Sequence, residues 1–232
     1  MTDLAQKRAN GAFIKSLADN SSGDSLATRM RRARFALFLS LLRKLERPVR
    51  VLDIGGTQGF WNLMAAGEDL GADVTLLNLN HQPVTSPAFT SATGDARSIP
   101  QYADKSFDVV FSNSVIEHVG SYDDQMRMAG EVLRVGKRYF VQTPNRRFPL
   151  EPHFLFPFFQ YLPVGVRAQM LHRFDVGWYQ RVESLERART EVESIQLLTK
   201  RKFAALFPGA TIYEEKLLGL TKSFVAYGGW ES

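Results

Sequence analysis

The sequence predicts an α/β fold: a doubly wound, mostly parallel sheet of seven strands, an antiparallel C-terminal hairpin, and a helical, aromatic-rich insertion after the fifth strand. Three observations carry this expectation. Short apolar runs alternate with helical patterns between residues 49 and 142, the order of a parallel sheet with crossover helices. The first run ends in a glycine cluster, Gly55, Gly56 and Gly59, just before a helical pattern begins. Near the C-terminus, apolar runs at 210–218 and 221–227 are separated only by Gly219 and Leu220, a hairpin signal.

The elements follow in order. A helix is expected over about 25–46, basic at its start (Arg29, Arg31, Arg32, Arg34) and apolar later (Phe35, Phe38, Leu39, Leu41, Leu42). Val49, Val51, Leu52 and Ile54 read as a buried first strand, and 58–70 as the helix after it. Residues 73–79 read as the second strand, followed by a loop marked by Pro83 and Pro87. A short third strand near 89–92 precedes Gly94-Asp95-Ala96. The fourth covers 106–112, its helix 122–135, and the fifth 137–142, closed by Thr143-Pro144-Asn145. Residues 146–193 break the alternation: 148–163 are crowded with aromatics and prolines. An insertion at this point leaves the carboxyl edge of the sheet, where ligands bind, so a lid or acceptor pocket is expected; a self-association or membrane surface is the alternative. A last helix is expected over 194–207, ending near Pro208-Gly209. The whole reads as one domain, 1–232, with 1–48 as a basic, amphipathic helical extension.

Composition bounds the function. The 232 residues are 44% hydrophobic and 12% aromatic, sufficient for a sizeable core. The absence of cysteine excludes a disulfide framework, a thiolate metal site and a catalytic thiol. No apolar run is long enough to span a bilayer, and the first residues lack the order of a secretory signal; a cytoplasmic location is expected. The net charge of +5 is unevenly placed, with eleven Lys/Arg against four Asp/Glu in residues 1–50. Such a segment packs its apolar side on the sheet and solvates its arginines, or meets anionic lipid or nucleic acid.

The segment 51–61, Val-Leu-Asp-Ile-Gly-Gly-Thr-Gln-Gly-Phe-Trp, is the most informative. Glycines at a strand-to-helix turn permit positive φ and close backbone approach, and the helix start points unpaired N–H groups at a ligand. Asp53, at the strand's end, would repel a pyrophosphate but attract an amino-bearing or cationic ligand. That favours S-adenosylmethionine over a dinucleotide, although an NAD(P) unit and a ligand-free turn also fit the glycines alone.

The run Asp53-Ile54-Gly55-Gly56-Thr57-Gln58-Gly59 resembles the acidic, glycine-rich first motif of class I S-adenosylmethionine-dependent methyltransferases. The run 107–119, Phe-Asp-Val-Val-Phe-Ser-Asn-Ser-Val-Ile-Glu-His-Val, resembles the fourth-strand motif of their type 11 small-molecule group. The resemblance implies a Rossmann-like methyltransferase fold whose seventh strand is inserted antiparallel. It implies a cofactor site made by Asp53 toward the methionine amino group, Gly55, Gly56, Gly59 and Phe60 in the loop, and Asp95 and Ala96 at the adenine. Asn113 and Ser114 would lie near the methyl group. Where the family carries a ribose-binding acid, this chain has Asn78, which can bond a hydroxyl without charge assistance; Asn80 is the substitute, two residues on.

Methyl transfer needs mainly alignment, and an oxygen acceptor with a high pKa also benefits from a general base. His118 is the first candidate and His153 the second, with His172 and Glu151 behind them; each also has an ordinary bracing role. No His/Asp/Glu spacing argues for a metal. The expectation is a methyltransferase acting on a small or medium-sized acceptor, most simply at oxygen. Rivals are an RNA methyltransferase using the basic helix, a non-catalytic S-adenosylmethionine-binding module, and an NAD(P) oxidoreductase. Nucleic acid is disfavoured because Thr143-Pro144-Asn145 is not an Asn/Asp-Pro-Pro-aromatic tetrad.

Overall fold

The computed structural model describes residues 25–65 and 68–230. The chain divides into two compact units, one comprising Met1–Leu37 with Pro149–Glu193, the other Phe38–Phe148 with Ser194–Ser232. In chain order the elements are α1 (Leu26–Leu42), β1 (Val49–Ile54), α2 (Gln58–Ala65), β2 (Ala72–Asn78), β3 (Phe89–Thr93), β4 (Phe107–Asn113), α3 (Tyr122–Val135) and β5 (Gly136–Pro144). The insertion adds β6 (Leu150–Glu151), β7 (Phe156–Pro157), α4 (Val164–Arg173) and α5 (Leu185–Glu193). Then come α6 (Lys200–Leu206), β8 (Thr211–Leu217) and β9 (Leu220–Gly228).

The second unit is built on a seven-stranded sheet in the order β3-β2-β1-β4-β5-β9-β8. Strands β1 to β5 pair in parallel, and β9 runs antiparallel to both β5 and β8. The expected topology, hairpin included, is what forms. Side chains alternate between the two faces of the sheet, and each face is covered. On one, Leu52, Ile54, Val110 and Val141 pack with Met128, Val132 and Phe203. On the other, Phe111 and Phe140 stack and meet Phe38 at 4.7 and 5.3 Å between ring centroids. Each such fully buried side chain contributes about 1.5–3 kcal/mol, so this aromatic layer anchors the C-terminal part of α1. The apolar half of α1 therefore packs as a core element.

Helix ends have identifiable causes. Ser25 Oγ accepts the Thr28 N–H at 3.0 Å and starts α1. Ser121 and Asp124 form a capping box at the start of α3. The expected helix over 194–207 is shorter, beginning only at Lys200. Thr199 caps it through the Lys202 N–H, while Leu198 pairs as extended chain with Asn145. The helix expected to reach residue 46 ends at Leu42, and that expected over 58–70 is described as far as Ala65.

The first unit has its own small core. Phe154 packs on Phe159 and Tyr179, with ring centroids 4.3 and 4.8 Å away. Helices α4 and α5 bury Ala168, Leu171, Ala188 and Val192, and Arg167 donates to the Val192 carbonyl at 3.2 Å.

Candidate active site

The sheet order reverses at β1, between β2 and β4; a crevice at the carboxyl ends of the strands flanking such a switch is where open α/β sheets bind ligands. A cavity of about 470 Å³ opens there, within the range of small-molecule sites. Ile54 and Gly55 come from the end of β1, Leu77 and Asn78 from the end of β2, Gly94 to Arg97 from the loop after β3, and Val115 and His118 from beyond β4. Of the residues expected to form the cofactor site, Gly55, Asn78, Asp95 and Ala96 line this cavity, as do His118 and Asn80. Gly56, Gly59, Phe60, Asp53, Asn113 and Ser114 do not.

The glycine turn is sterically required. Gly55 has φ +78°, and a Cβ there would lie 2.4 Å from Val115 Cγ2. A Cβ on Gly56 would sit 1.6 Å from Asp53 Oδ2, so the Asp53 carboxyl fills the space a side chain would take. Asp53 is only 1% exposed. The Trp61 indole N–H donates to its Oδ2 at 2.6 Å, while Oδ1 is buried with no hydrogen-bond partner. Burial pushes the Asp53 carboxyl up to about 7, against the opposing pull of the Trp61 bond. Asn113 Oδ1 is a second buried acceptor without a partner. Asp53 pairs with Phe111 across β1 and β4, and Asn113 lies two residues beyond Phe111, so both acceptors lie on one face of the sheet. Phe60 leans on Phe111 at 5.9 Å as part of the aromatic layer. A Cβ on Gly59 would meet only the Thr57 hydroxyl at 4.0 Å.

Asn78 has a specific local reason to be an amide. Its Nδ2 donates to the Gly56 carbonyl at 2.9 Å, tying the end of β2 to the glycine turn. An aspartate has no proton to give in that contact. Asp95 is held by Arg97: the backbone N–H donates to Oδ1 at 2.9 Å, and the guanidinium bonds both carboxylate oxygens at 2.5–3.0 Å. The Arg97 side-chain bonds hold the Asp95 carboxyl below the usual range. Arg97 reaches on to the Val119 carbonyl and Asp124, both at 3.3 Å, and so joins the cavity's β3 side to the start of α3. Sequence reading missed Arg97; its only signal was a position two residues after Asp95.

Beyond β4 the chain turns at Ser114, φ 56°, whose hydroxyl donates to Gln142 Oε1 at 2.8 Å. This bond aligns the ends of β4 and β5. His118 closes the following 3₁₀ turn, Ile116–His118. Its neighbour Glu117 is fully buried and accepts the Thr143 hydroxyl at 3.0 Å. Ser194, where the chain returns from the insertion, also lines the cavity.

In the first unit, Glu151 is buried and accepts the backbone N–H groups of His153 and Phe154 at 2.8 and 2.6 Å. Its other oxygen lies 2.7 Å from His153 Nδ1, the arrangement in which a carboxylate orients an imidazole. Glu151 is thus a turn-forming and orienting group. His172 Nδ1 donates to the Val182 carbonyl at 2.9 Å and braces α4.

Comparison with known proteins agrees with this geometry. A family profile described as a methyltransferase domain matches residues 26–210. An uncharacterized protein of Mycobacterium tuberculosis is 40% identical over 73 residues, 32% of this chain and 25% of that protein. The biotin biosynthesis bifunctional protein BioHC of Cellvibrio japonicus is 30% identical over 146 residues, 61% of this chain and 28% of its own length. The matched part thus spans about a quarter of each relative's length. Among solved structures, the PH0226 protein of Pyrococcus horikoshii superposes with a TM-score of 0.52 at 17% identity, covering 91% of this chain and 93% of that one; at that identity the likeness speaks for the fold. With the profile spanning most of the chain, the protein belongs to the methyltransferase domain family.

Proposed function

We propose that this enzyme transfers the methyl group of S-adenosylmethionine to an oxygen of a small or medium-sized acceptor, with His118 as the proton acceptor. The observation that carries this reading is the cavity at the ends of β1, β2 and β4, in which His118 shares the wall with Gly55, Asn78, Asp95 and Ala96. The residues fit the cofactor. Asn78, its amide hydrogens turned to Gly56, offers Oδ1 to a ribose hydroxyl. Asp95 keeps acceptor capacity for an exocyclic amine, with Ile54, Leu77 and Ala96 beside the ring. The unsatisfied acceptors on Asp53 and Asn113 suit an ammonium group, which has three donors to give.

S-adenosylmethionine, when bound, supplies an activated methyl group on a sulfonium. The chain's own part is to hold the two reactants in line, which accounts for most of the acceleration in such a displacement, and to take the proton from a hydroxyl acceptor. With the cofactor bound to supply the methyl group, His118 would take the proton that the acceptor hydroxyl gives up. A base in this position contributes about 10²–10⁴-fold.

Incubation with methyl-labelled S-adenosylmethionine and a panel of hydroxyl, carboxyl, amine and RNA acceptors tests this reading. Labelled ether or ester product, reduced by His118→Ala without loss of S-adenosylhomocysteine binding, is expected. Transfer confined to nitrogen or to RNA would sink the oxygen-acceptor assignment.

A further inference from the structure

A ribose carries two neighbouring hydroxyls, each able to give and to accept a hydrogen bond. At the end of β2, Asn78 turns its Nδ2 to the Gly56 carbonyl at 2.9 Å, which leaves Oδ1 for one hydroxyl. The other needs a second partner. Strand β2 stops at Asn78, so Asn80, the substitute expected from sequence, no longer follows the strand's alternation; it stands exposed beyond the strand. Past Asn78 the cavity wall continues with Leu79, Asn80 and Gln82, and there is no acid among them.

Gln82 differs from Asn80 in being half-buried and in being held. Its backbone N–H donates to Ser91 Oγ at 2.9 Å, which ties it to β3. Three residues on, Thr85 exchanges two bonds with Gln58, the first residue of α2. The Gln58 amide donates to the Thr85 hydroxyl at 2.9 Å, and the Thr85 N–H donates to Gln58 Oε1 at 2.7 Å. Pro83 and Pro87 fix φ on either side of this clasp. The loop is thus anchored both to the helix after the glycine turn and to the neighbouring strand, which gives a loop residue the fixed position that a binding group needs. The Gln82 side chain itself is uncommitted. Its one bond among the described residues runs from Nε2 to the Asn80 carbonyl at 3.4 Å, longer than an ordinary N–H···O bond. A second amide hydrogen and Oε1 are left for a ligand.

We infer that Gln82 binds the ribose hydroxyl that Asn78 leaves, so that two neutral amides grip the diol in place of a carboxylate. The inference rests on the S-adenosylmethionine reading of the cavity, with the adenine beside Asp95 and Ala96 and the ribose at the end of β2. A hydroxyl taken out of water without a partner costs affinity, and the Gln82 amide offers it both a donor and an acceptor. Gln58 and Thr85 are positioning residues. Neither lines the cavity, and each acts through the loop.

The test is calorimetric titration of the full chain with S-adenosylhomocysteine and with its 2′-deoxy and 3′-deoxy analogues. The wild type should bind S-adenosylhomocysteine more tightly than either analogue. Gln82→Ala should weaken S-adenosylhomocysteine binding about three- to tenfold. It should also lose discrimination against one of the two analogues while keeping it, through Asn78, against the other. Gln58→Ala should show part of the same loss. An unchanged thermal transition shows that the variants fold; if Gln82→Ala fails that check, Gln82→Met, which keeps the length without the amide, is measured instead. Equal weakening for all three ligands, or no change, overturns the inference, and full discrimination in Gln58→Ala overturns the role of the clasp. Failure of the wild type to bind S-adenosylhomocysteine would remove the cofactor reading itself, so the wild-type titration tells the two failures apart.

Discussion

The Asp53 carboxyl makes the ligand-free protein's stability depend on pH in a way that one substitution removes. Its folded-state value is about 7, raised from 3.8 by burial. The native state therefore keeps a proton on Asp53 over a range in which the unfolded chain has lost it. The associated stability is fully present below pH 3.8 and is lost as pH rises toward 7. Each pH unit in that window costs about 1.4 kcal/mol, so from pH 5 to pH 7 the loss is about 2 kcal/mol after allowing for half-titration at the upper end. Asp53→Asn keeps an acceptor for the Trp61 indole and cannot ionise. Its stability relative to wild type should therefore rise by about 2 kcal/mol over the same interval. Cofactor binding should show the converse dependence. An ammonium group favours the ionised carboxyl, so wild-type affinity for S-adenosylhomocysteine should fall about tenfold per pH unit below 7, while Asp53→Asn should be weak and flat. Urea titrations of ligand-free protein at pH 5, 6, 7 and 8, with calorimetric binding at the same values, give both curves. Comparison of the two proteins cancels the opposite trend from Asp95, Asp108 and Glu131, whose carboxyls are held low by arginine and lysine partners. Parallel stability curves for wild type and variant would refute the reasoning.

Three further outcomes follow from the geometry. Asn78→Asp should lower S-adenosylhomocysteine affinity roughly tenfold, because it removes the bond to the Gly56 carbonyl and sets two acceptors together; calorimetry that finds tighter binding would contradict this. His118→Ala should reduce turnover about 10²–10⁴-fold on a hydroxyl acceptor with little change in cofactor affinity, as a labelled-methyl assay and calorimetry on the same variant would show. Phe154→Ala should cost the first unit about 3–5 kcal/mol, since it empties the centre of an aromatic core; hydrogen exchange should show the loss in 149–193 with the β1–β5 amides still protected.

Much of the fold was legible because it rests on local pattern. β1, β4 and β5 are apolar runs buried on both faces, and the turn at Gly55 is written in the residues that form it. The hairpin was readable from Gly219 with apolar runs on either side. The last helix was read too long because Ile195 and Leu198 look like a helical apolar pattern, whereas Leu198 is held as extended chain by Asn145, some fifty residues earlier. The site was half legible. Asp53, Gly55, Asp95 and His118 stand at positions a motif can mark. The reason for Asn78 lies in the Gly56 carbonyl, and the company of Asp95 in Arg97, contacts set by tertiary placement that spacing does not reveal. Trp61 reads as one apolar residue of a helical pattern; its indole N–H on Asp53 becomes visible only once α2 lies over β1.

The central claim is that the cavity at the ends of β1, β2 and β4 holds S-adenosylmethionine. Its most direct test is calorimetric titration of the protein at pH 8 with S-adenosylhomocysteine and, separately, with NAD. Saturable binding of S-adenosylhomocysteine, accompanied by a higher melting temperature and abolished by Gly56→Val, is the predicted result. Binding of NAD without S-adenosylhomocysteine, or S-adenosylhomocysteine binding that Gly56→Val leaves intact, would contradict it.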